Sequence, residues 1–164
     1  MEKRMKKDKI YIICVWWIII DQIIKTIVTM KMKLEEAINI IPNFFRLYYI
    51  KNTGAAFSIF AGKKYLLIIV GIIVFFCLVH YINKNRITKR LEIISLGIMM
   101  GGIVGNLVDR LLYGAVIDYL SFIIFGYSFA VFNFADIGIV IGMVMLVISI
   151  IKQNNNDKKR NRRK

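Results

Sequence analysis

The chain has 164 residues, is 58% hydrophobic and has a mean hydropathy of +0.62, which is too apolar for an ordinary soluble domain. Its formal net charge of +14 would suit a nucleic-acid-binding protein, but most of the basic residues lie in Lys3–Lys9, Lys84–Arg90 and Lys152–Lys164, which flank hydrophobic blocks. Basic residues in such places are typical of the cytoplasmic ends of membrane spans, so the charge argues for a membrane protein and against nucleic acid as a partner.

The first apolar block, Ile10–Met30, is predicted to be a transmembrane helix, because it would reach about 31 Å. The block is too long for the hydrophobic region of a cleavable signal peptide, and no small-residue cleavage site follows it, so we expect it to be retained. Asp21 and Lys25 lie four residues apart in its outer half and would form an ion pair on one helix face. The pattern leaves open whether this pair is structural or belongs to a polar site.

Residues 31–64 are less apolar and carry charges of both signs, which places them outside the hydrocarbon. Phe44–Lys51 is rich in aromatic and β-branched residues, which favours a strand. Asn52–Gly54 is a turn signal, and Ala55–Phe60 would return as a second strand. We therefore predict a small extracytoplasmic β-sheet, over residues 31–62, between the first and second spans.

Three further spans are predicted along the chain, at Tyr65–Ile82, Leu91–Leu112 and Val131–Ile151. Residues 1–152 would form one α-helical membrane domain with both termini in the cytoplasm and with the segments 31–64 and 113–130 outside. The glycines of Gly101–Gly105 would let neighbouring helices approach closely. The charged, low-complexity tail, residues 153–164, is expected to be disordered.

Polar residues recur at the predicted outer ends of the spans. Asn106, Asp109 and Arg110 can project from one side of the third span, either as a snorkelled helix end or as groups that orient a site. Asp118 lies in the second external loop and Asp136 in the first turns of the fourth span, so topology brings them to the same membrane face. Carboxylates at membrane depth are costly unless they are paired or used.

Two close carboxylates in a partly dehydrated site cannot both ionise at low cost, so they would share one proton. The charged member can then take a proton from water while the protonated member donates to a carbonyl oxygen, as in aspartic proteases. Two alternatives stay open. In the first, Asp118 and Asp136 only cap helices or solvate a loop. In the second, a Ser-Lys dyad uses Ser58, Ser121 or Ser128 as the nucleophile and Lys25, Lys31 or Lys51 as the base.

No metal or cofactor is predicted. The chain has no HExxH or GxSxG motif, which are the signatures of zinc proteases and of serine hydrolases. Cys14, Cys77 and His80 have no ligand spacing, so they indicate neither a zinc site nor a disulfide framework.

Five segments together resemble the bacterial lipoprotein signal peptidase family (signal peptidase II), and they occur in that family's order. They are DQIIK at 21–25, NTGAAFS at 52–58, GNLVDR at 105–110, GAVIDY at 114–119 and FNFAD at 132–136. The resemblance implies four transmembrane helices with an external β-cradle. It also implies an aspartyl endopeptidase that removes the signal peptide from diacylglyceryl-modified prolipoproteins, immediately before the lipidated cysteine. Tyr119, where the family commonly has phenylalanine, is a small departure that keeps the aromatic ring.

The resemblance implies that Asp118 and Asp136 are the catalytic dyad. It further implies supporting or substrate-binding roles for the other motif residues: Asp21, Lys25, Asn52, Gly54, Asn106, Asp109, Arg110 and Asn133. The implied partners are lipid-modified prolipoproteins and membrane lipids, and the implied location is the bacterial cytoplasmic membrane, with a monomer whose site faces outward. A non-enzymatic membrane scaffold or binding protein is the alternative, whereas a transporter would place polar residues through the bilayer midplane.

Overall fold

The computed structural model describes the backbone of residues 2–55 and 59–161, and the side chains of residues 7–55 and 59–152. Within these ranges the elements follow in the order α1 (Glu2–Lys31), β1 (Ala37–Ile41), β2 (Phe45–Asn52), α2 (Lys64–Lys84), α3 (Arg90–Tyr113), β3 (Val116–Ile124), β4 (Tyr127–Ser128) and α4 (Phe134–Asn161).

Each helix contains a segment that is long and apolar enough to cross a membrane. These segments are Lys7–Lys31, Lys64–Lys84, Arg90–Tyr113 and Phe134–Lys152, which confirms the predicted four-span fold. The fourth helix continues to Asn161, so residues 153–161 of the tail are helical rather than irregular, and residues 162–164 lie outside the described part. A helix that already spans a membrane can extend without a new nucleation step, which explains this difference.

The third helix lies at the centre of the bundle. In the most apolar stretch of α3, 78% of the residues are buried inside the protein, whereas only 6% are buried in the corresponding stretch of α2. The helix α2 therefore presents most of its surface to lipid. Neighbouring helices approach α3 closely at its glycines, as predicted. A Cβ at Gly102 would collide with the carbonyl oxygen of Ala135, and one at Gly101 would meet the Cβ of Trp17 at 2.6 Å. The start of α4 is therefore packed directly onto α3.

The four strands form one antiparallel sheet in the order β1-β2-β3-β4. The strand β2 pairs with β1 on one side and with β3 on the other, with Asn52 opposite Val116 and Ile50 opposite Asp118. The two segments that connect the helices at this end, 32–63 and 114–133, therefore share one sheet and lie at the same end of the bundle. The sheet was predicted between the first and second spans alone, but the second segment supplies two of its strands.

The predicted return strand at Ala55–Phe60 is wrong where the structure describes it. Ala55, Ile59 and Phe60 lie in bends and turns, and the remaining three residues are outside the described part. Asn52 Oδ1 accepts a hydrogen bond from Gly54 N (2.9 Å), which turns the chain away from the strand direction. Both edges of β2 are already occupied, so no edge is left for a returning strand.

Candidate functional site

Asp118 lies on β3 and is 2% exposed. Its Oδ1 accepts a hydrogen bond from Asn133 Nδ2 (2.7 Å), and its Oδ2 accepts one from Asn52 Nδ2 (2.9 Å). Asn52 is the last residue of β2, so the pairing of β2 with β3 delivers this donor. Both carboxyl oxygens are therefore held in a fixed orientation.

Asp136 lies in the first turn of α4 and completes a reciprocal cap with Asn133. Asn133 N donates to Asp136 Oδ2 (3.2 Å), and Asp136 N donates to Asn133 Oδ1 (3.0 Å), which is the arrangement of a capping box. Asp136 Oδ1 accepts a further bond from Asn106 Nδ2 (2.7 Å). Asp136 therefore has the capping role that the sequence left open. Its Oδ1 takes no part in the cap.

Two asparagine amides connect the aspartates. Asn133 Nδ2, which donates to Asp118, also donates to Asn106 Oδ1 (3.1 Å), and Asn106 in turn donates to Asp136. Burial, and then the nearby negative charge of Asp136, raise the pKa of Asp118 to about 7. An acid with this pKa holds a proton on about half of the molecules at neutral pH.

A buried ion cluster supports this pair of amides. Lys25 Nζ lies 2.8 Å from Asp21 Oδ2 and 2.8 Å from Asp109 Oδ2, and all three residues are at most 1% exposed. The predicted Asp21–Lys25 ion pair is thus present and gains a third member from α3. Lys25 Nζ also donates to Asn106 Oδ1 (3.0 Å). Because that oxygen accepts bonds from Lys25 and Asn133, the Nδ2 of Asn106 is turned toward Asp136.

The same cluster fixes the start of α4, whose first N–H groups have no partner within the helix. Ala135 N donates to Asp21 Oδ1 (3.0 Å), and Phe134 N donates to the hydroxyl of Tyr119 (3.2 Å). Asp109 Oδ2 also accepts a bond from Ile117 N (3.1 Å). The helices α1 and α3 and the strand β3 therefore all hold the segment that carries Asp136.

Arg110 and Gly54 complete the polar group. Arg110 Nη2 donates to the carbonyl oxygen of Gly54 (3.1 Å), whose N–H is bonded to Asn52. The structure thus brings together all ten residues named from the sequence. Gln22 was not among them, although its Nε2 donates to Asp109 Oδ1 (3.0 Å). The sequence signal that could have identified Gln22 is its polar side chain, next to Asp21 in an otherwise apolar segment.

A cavity of about 860 Å³ joins the two aspartates to the membrane part of the protein. Its polar end is formed by Asn52, Asn106, Arg110, Asp118 and Asp136. The rest of its wall is apolar and comes from α2, α3, α4 and the segment before α4, including Leu67, Val70, Met99, Ile103, Phe129 and Val140. Its size falls within the range of ordinary ligand sites, and a few polar groups converge at one end of it.

Comparisons with known proteins agree over most of the chain. A sequence profile of the family described as Signal peptidase (SPase) II matches residues 13–152. The lipoprotein signal peptidase of Halothermothrix orenii is 40% identical over 144 residues, which cover 88% of this chain and 96% of that protein. That of Staphylococcus aureus is 33% identical over 149 residues, 91% of each.

Two solved structures of a bacterial membrane enzyme, both obtained by the in meso method, have a similar fold. The first has a TM-score of 0.81 at 33% identity and covers 88% of each chain. The second has a TM-score of 0.77 at 33% identity and covers 86% of this chain and 91% of the other. By sequence and by fold, the chain belongs to the signal peptidase II family of membrane proteases.

Proposed function

We propose that this protein is an aspartyl endopeptidase that cleaves the signal peptide from diacylglyceryl-modified prolipoproteins immediately before the lipidated cysteine. Family membership supports the cleavage of signal peptides from prolipoproteins. The aspartyl mechanism rests on one observation, which is that Asp118 and Asp136 line the polar end of one otherwise apolar cavity.

The two aspartates have different surroundings, which support different roles in the reaction. Asp118 has a pKa raised to about 7 by burial and by the charge of Asp136, and we assign it the role of the proton carrier near neutral pH. Asp136 accepts bonds from Asn106 and from the backbone of Asn133 at a helix start, where the helix dipole favours a negative charge. We therefore assign the role of the base to Asp136.

The reaction then follows as general acid–base catalysis. Asp136 removes a proton from a water molecule, whose oxygen attacks the carbonyl carbon of the scissile peptide bond. Asp118 donates its proton to the carbonyl oxygen as the tetrahedral intermediate forms. When the C–N bond breaks, the leaving nitrogen takes the proton that Asp136 accepted, and the hydroxyl proton of the intermediate returns to Asp118.

The other polar residues hold the reacting groups. Asn133 and Asn106 orient the two carboxyls, and Lys25 orients Asn106. We assign the binding of the substrate backbone to Asn52, Gly54 and Arg110, the first and last of which line the cavity. An arginine at that place also carries a positive charge close to any oxyanion formed there.

The apolar wall of the cavity suits the lipid-modified substrate. The acyl chains of the substrate stay in the bilayer during cleavage. The scissile peptide bond must therefore reach the site laterally from the membrane, between helices whose inner faces are apolar. The distribution of basic residues supports an orientation with both termini in the cytoplasm and with the site at the outer face of the bacterial cytoplasmic membrane. One chain supplies every residue of the proposed site, so we propose a monomer.

The direct test is to incubate the purified protein with a diacylglyceryl-modified prolipoprotein peptide and with the same peptide unmodified. We expect release of the signal peptide from the modified peptide only, whereas a non-enzymatic scaffold would release none. Cleavage should persist in the presence of a chelator and be blocked by an aspartic-protease inhibitor. A loss of activity on chelation that zinc restores would refute the two-aspartate chemistry.

The pH dependence of cleavage tests the role given to Asp118. Because Asp118 must be protonated to act as the acid and its pKa is about 7, kcat/KM should fall about tenfold per pH unit once the pH exceeds about 7. The measurement is kcat/KM between pH 6 and 9 with a substrate that has no ionisable group near the scissile bond. A rate that stays constant over this range would show that Asp118 does not act as the acid.

A further inference from the structure

The end of the sheet farthest from Asp118 carries a group of exposed apolar side chains, which we call the sheet tip. It consists of Ile40, Ile41, Phe44, Ile124, Phe125 and Tyr127, which are 46–97% exposed. Two connections bring these residues together, the β1–β2 turn and the β3–β4 turn. Ile123 N donates to the carbonyl oxygen of Phe44 (2.8 Å), and the rings of Phe44 and Phe122 lie 5.5 Å apart. The sheet tip is thus one surface.

Phe125 is the most unusual member of the sheet tip. It is 97% exposed and has a φ of 51°, and Gly126 beside it has a φ of 81°. A two-residue hairpin turn with two positive φ angles favours Asn-Gly or Gly-Gly, and an aromatic residue is strained in the left-handed region. A ring that is 97% exposed buries almost no surface within this protein, so packing inside it does not offset the strain of the turn.

The charges around the sheet tip are also uneven. The segments 37–47 and 120–132 contain a single charged residue, Arg46, and no acidic residue. Arg46 Nε donates to Ser121 Oγ (3.2 Å), and its Nη2 to Ser128 Oγ (3.4 Å). The turn before β1 is charged by contrast, with Lys33, Glu35 and Glu36. Apolar and aromatic side chains with a basic residue, and without acidic ones, are the composition of a membrane-interface surface.

The position of the sheet tip fits that surface. Over the stretch from Asp118 to Ile124 the strand β3 advances about 20 Å. This length exceeds the distance of about 8–10 Å between neighbouring helices, so β3 is long enough to reach past the helix next to the site. Phe129 N donates to the carbonyl oxygen of Phe122 (2.8 Å), and Phe129 lines the cavity together with Leu67 and Val70 of the α2 span. The hairpin therefore starts at the rim of the membrane-embedded cavity and extends beyond it.

We propose that the sheet tip inserts into a leaflet of the lipid bilayer. The leaflet is the one at the end of the helix bundle that holds Asp118 and Asp136, and the tip enters it beside the opening of the cavity between α2 and α4. Phe125 and Tyr127 enter the region between headgroups and acyl chains, and Arg46 lies at the level of the lipid phosphates. This contact fixes the sheet that carries Asp118 relative to the membrane surface. Its occupant is lipid, in continuity with the lipid around the helices.

The test is the accessibility of a nitroxide label at position 125. The label is attached to Phe125→Cys in a protein in which Cys14 and Cys77 are replaced by alanine, reconstituted in vesicles of phosphatidylethanolamine and phosphatidylglycerol. Oxygen concentrates in the bilayer and a nickel chelate stays in water. We expect an oxygen-to-nickel accessibility ratio several-fold higher at position 125 than at Glu35→Cys. Glu35 is a matched control, because it is exposed and also has a positive φ of 66°.

Each outcome decides the proposal. A label that the nickel chelate reaches as readily at position 125 as at position 35 would place the tip in water. A label that neither reagent reaches would place it against protein, either a partner or a second copy. Both results overturn the proposal. Tyr127→Cys provides an independent second label if the Phe125 variant does not fold. The readout does not involve cleavage, so its failure is distinguishable from a failure of the proposed activity.

Discussion

Asp118→Asn and Asp136→Asn are each expected to reduce cleavage by at least about 10³-fold, because each removes a proton-transfer group that the reaction needs. Asparagine keeps the shape of the side chain and one accepting oxygen, so each variant retains one of the two hydrogen bonds that the carboxyl accepts in the wild type. The double variant should be no less active than either single one, because the two groups act as a unit. The measurement is single-turnover release of the signal peptide from a diacylglyceryl-modified peptide.

Stability measurements separate this loss from unfolding. A carboxyl whose pKa is raised in the folded protein, as at Asp118, contributes stability below its unfolded pKa, and this contribution is lost as the pH rises through about 7. The Asp118→Asn variant has no carboxyl at this position and so does not lose this contribution. The difference in thermal midpoint, variant minus wild type, should therefore increase as the pH rises to about 7. Asp8→Asn, at an exposed carboxyl, is the matched control and should leave both cleavage and stability unchanged. Full turnover by the double variant would exclude the dyad.

Lys25→Met is expected to have the largest effect on folding. Lys25 is the shared partner of Asp21 and Asp109, both fully buried, and its removal leaves uncompensated negative charge in the protein interior. Breaking a buried ion pair in this way costs about 3–5 kcal/mol. The free energy of unfolding in detergent micelles checks this, with Lys9→Met in the same helix as a control, since Lys9 is exposed.

A charge-free version of the cluster distinguishes folding from positioning. In the triple variant Asp21→Asn, Lys25→Met, Asp109→Asn no buried charge is left unpaired, so much of the lost stability should return. Cleavage should nevertheless stay about 10- to 100-fold below that of the wild type, because Asn106 has lost the charged donor that orients its amide toward Asp136. If cleavage recovers together with stability, Lys25 has only a structural role.

The four helices and the residues of the site were accessible from the sequence for two different reasons. A membrane span is a local property, since about 20 consecutive apolar residues must satisfy the backbone internally as a helix. The polar residues stand out because each costs free energy in an apolar segment. Asp21, Lys25 and Asp136 are therefore visible in the chain without knowledge of their partners.

The sheet was predicted only in part, because strand pairing depends on segments far apart in the chain. Composition located β2 within one residue at each end, but its partners are β1 and β3, not the residues that follow the Asn52–Gly54 turn. Nothing in the sequence near residue 50 indicates that the strand beside it begins at Val116. Likewise, residues 153–161 are polar in composition, yet they continue the helix of the preceding span.

By itself the sequence determined a four-span membrane protein with polar residues gathered near one end, because hydrophobic length and charge position are local properties that the bilayer reads directly. Only the tertiary structure decided how those polar residues are connected. Hydrogen bonds between Asn133, Asn106 and Lys25 join three helices and two aspartates. Such directional contacts exist only after the helices pack, because each amide needs its donors and acceptors within about 3 Å.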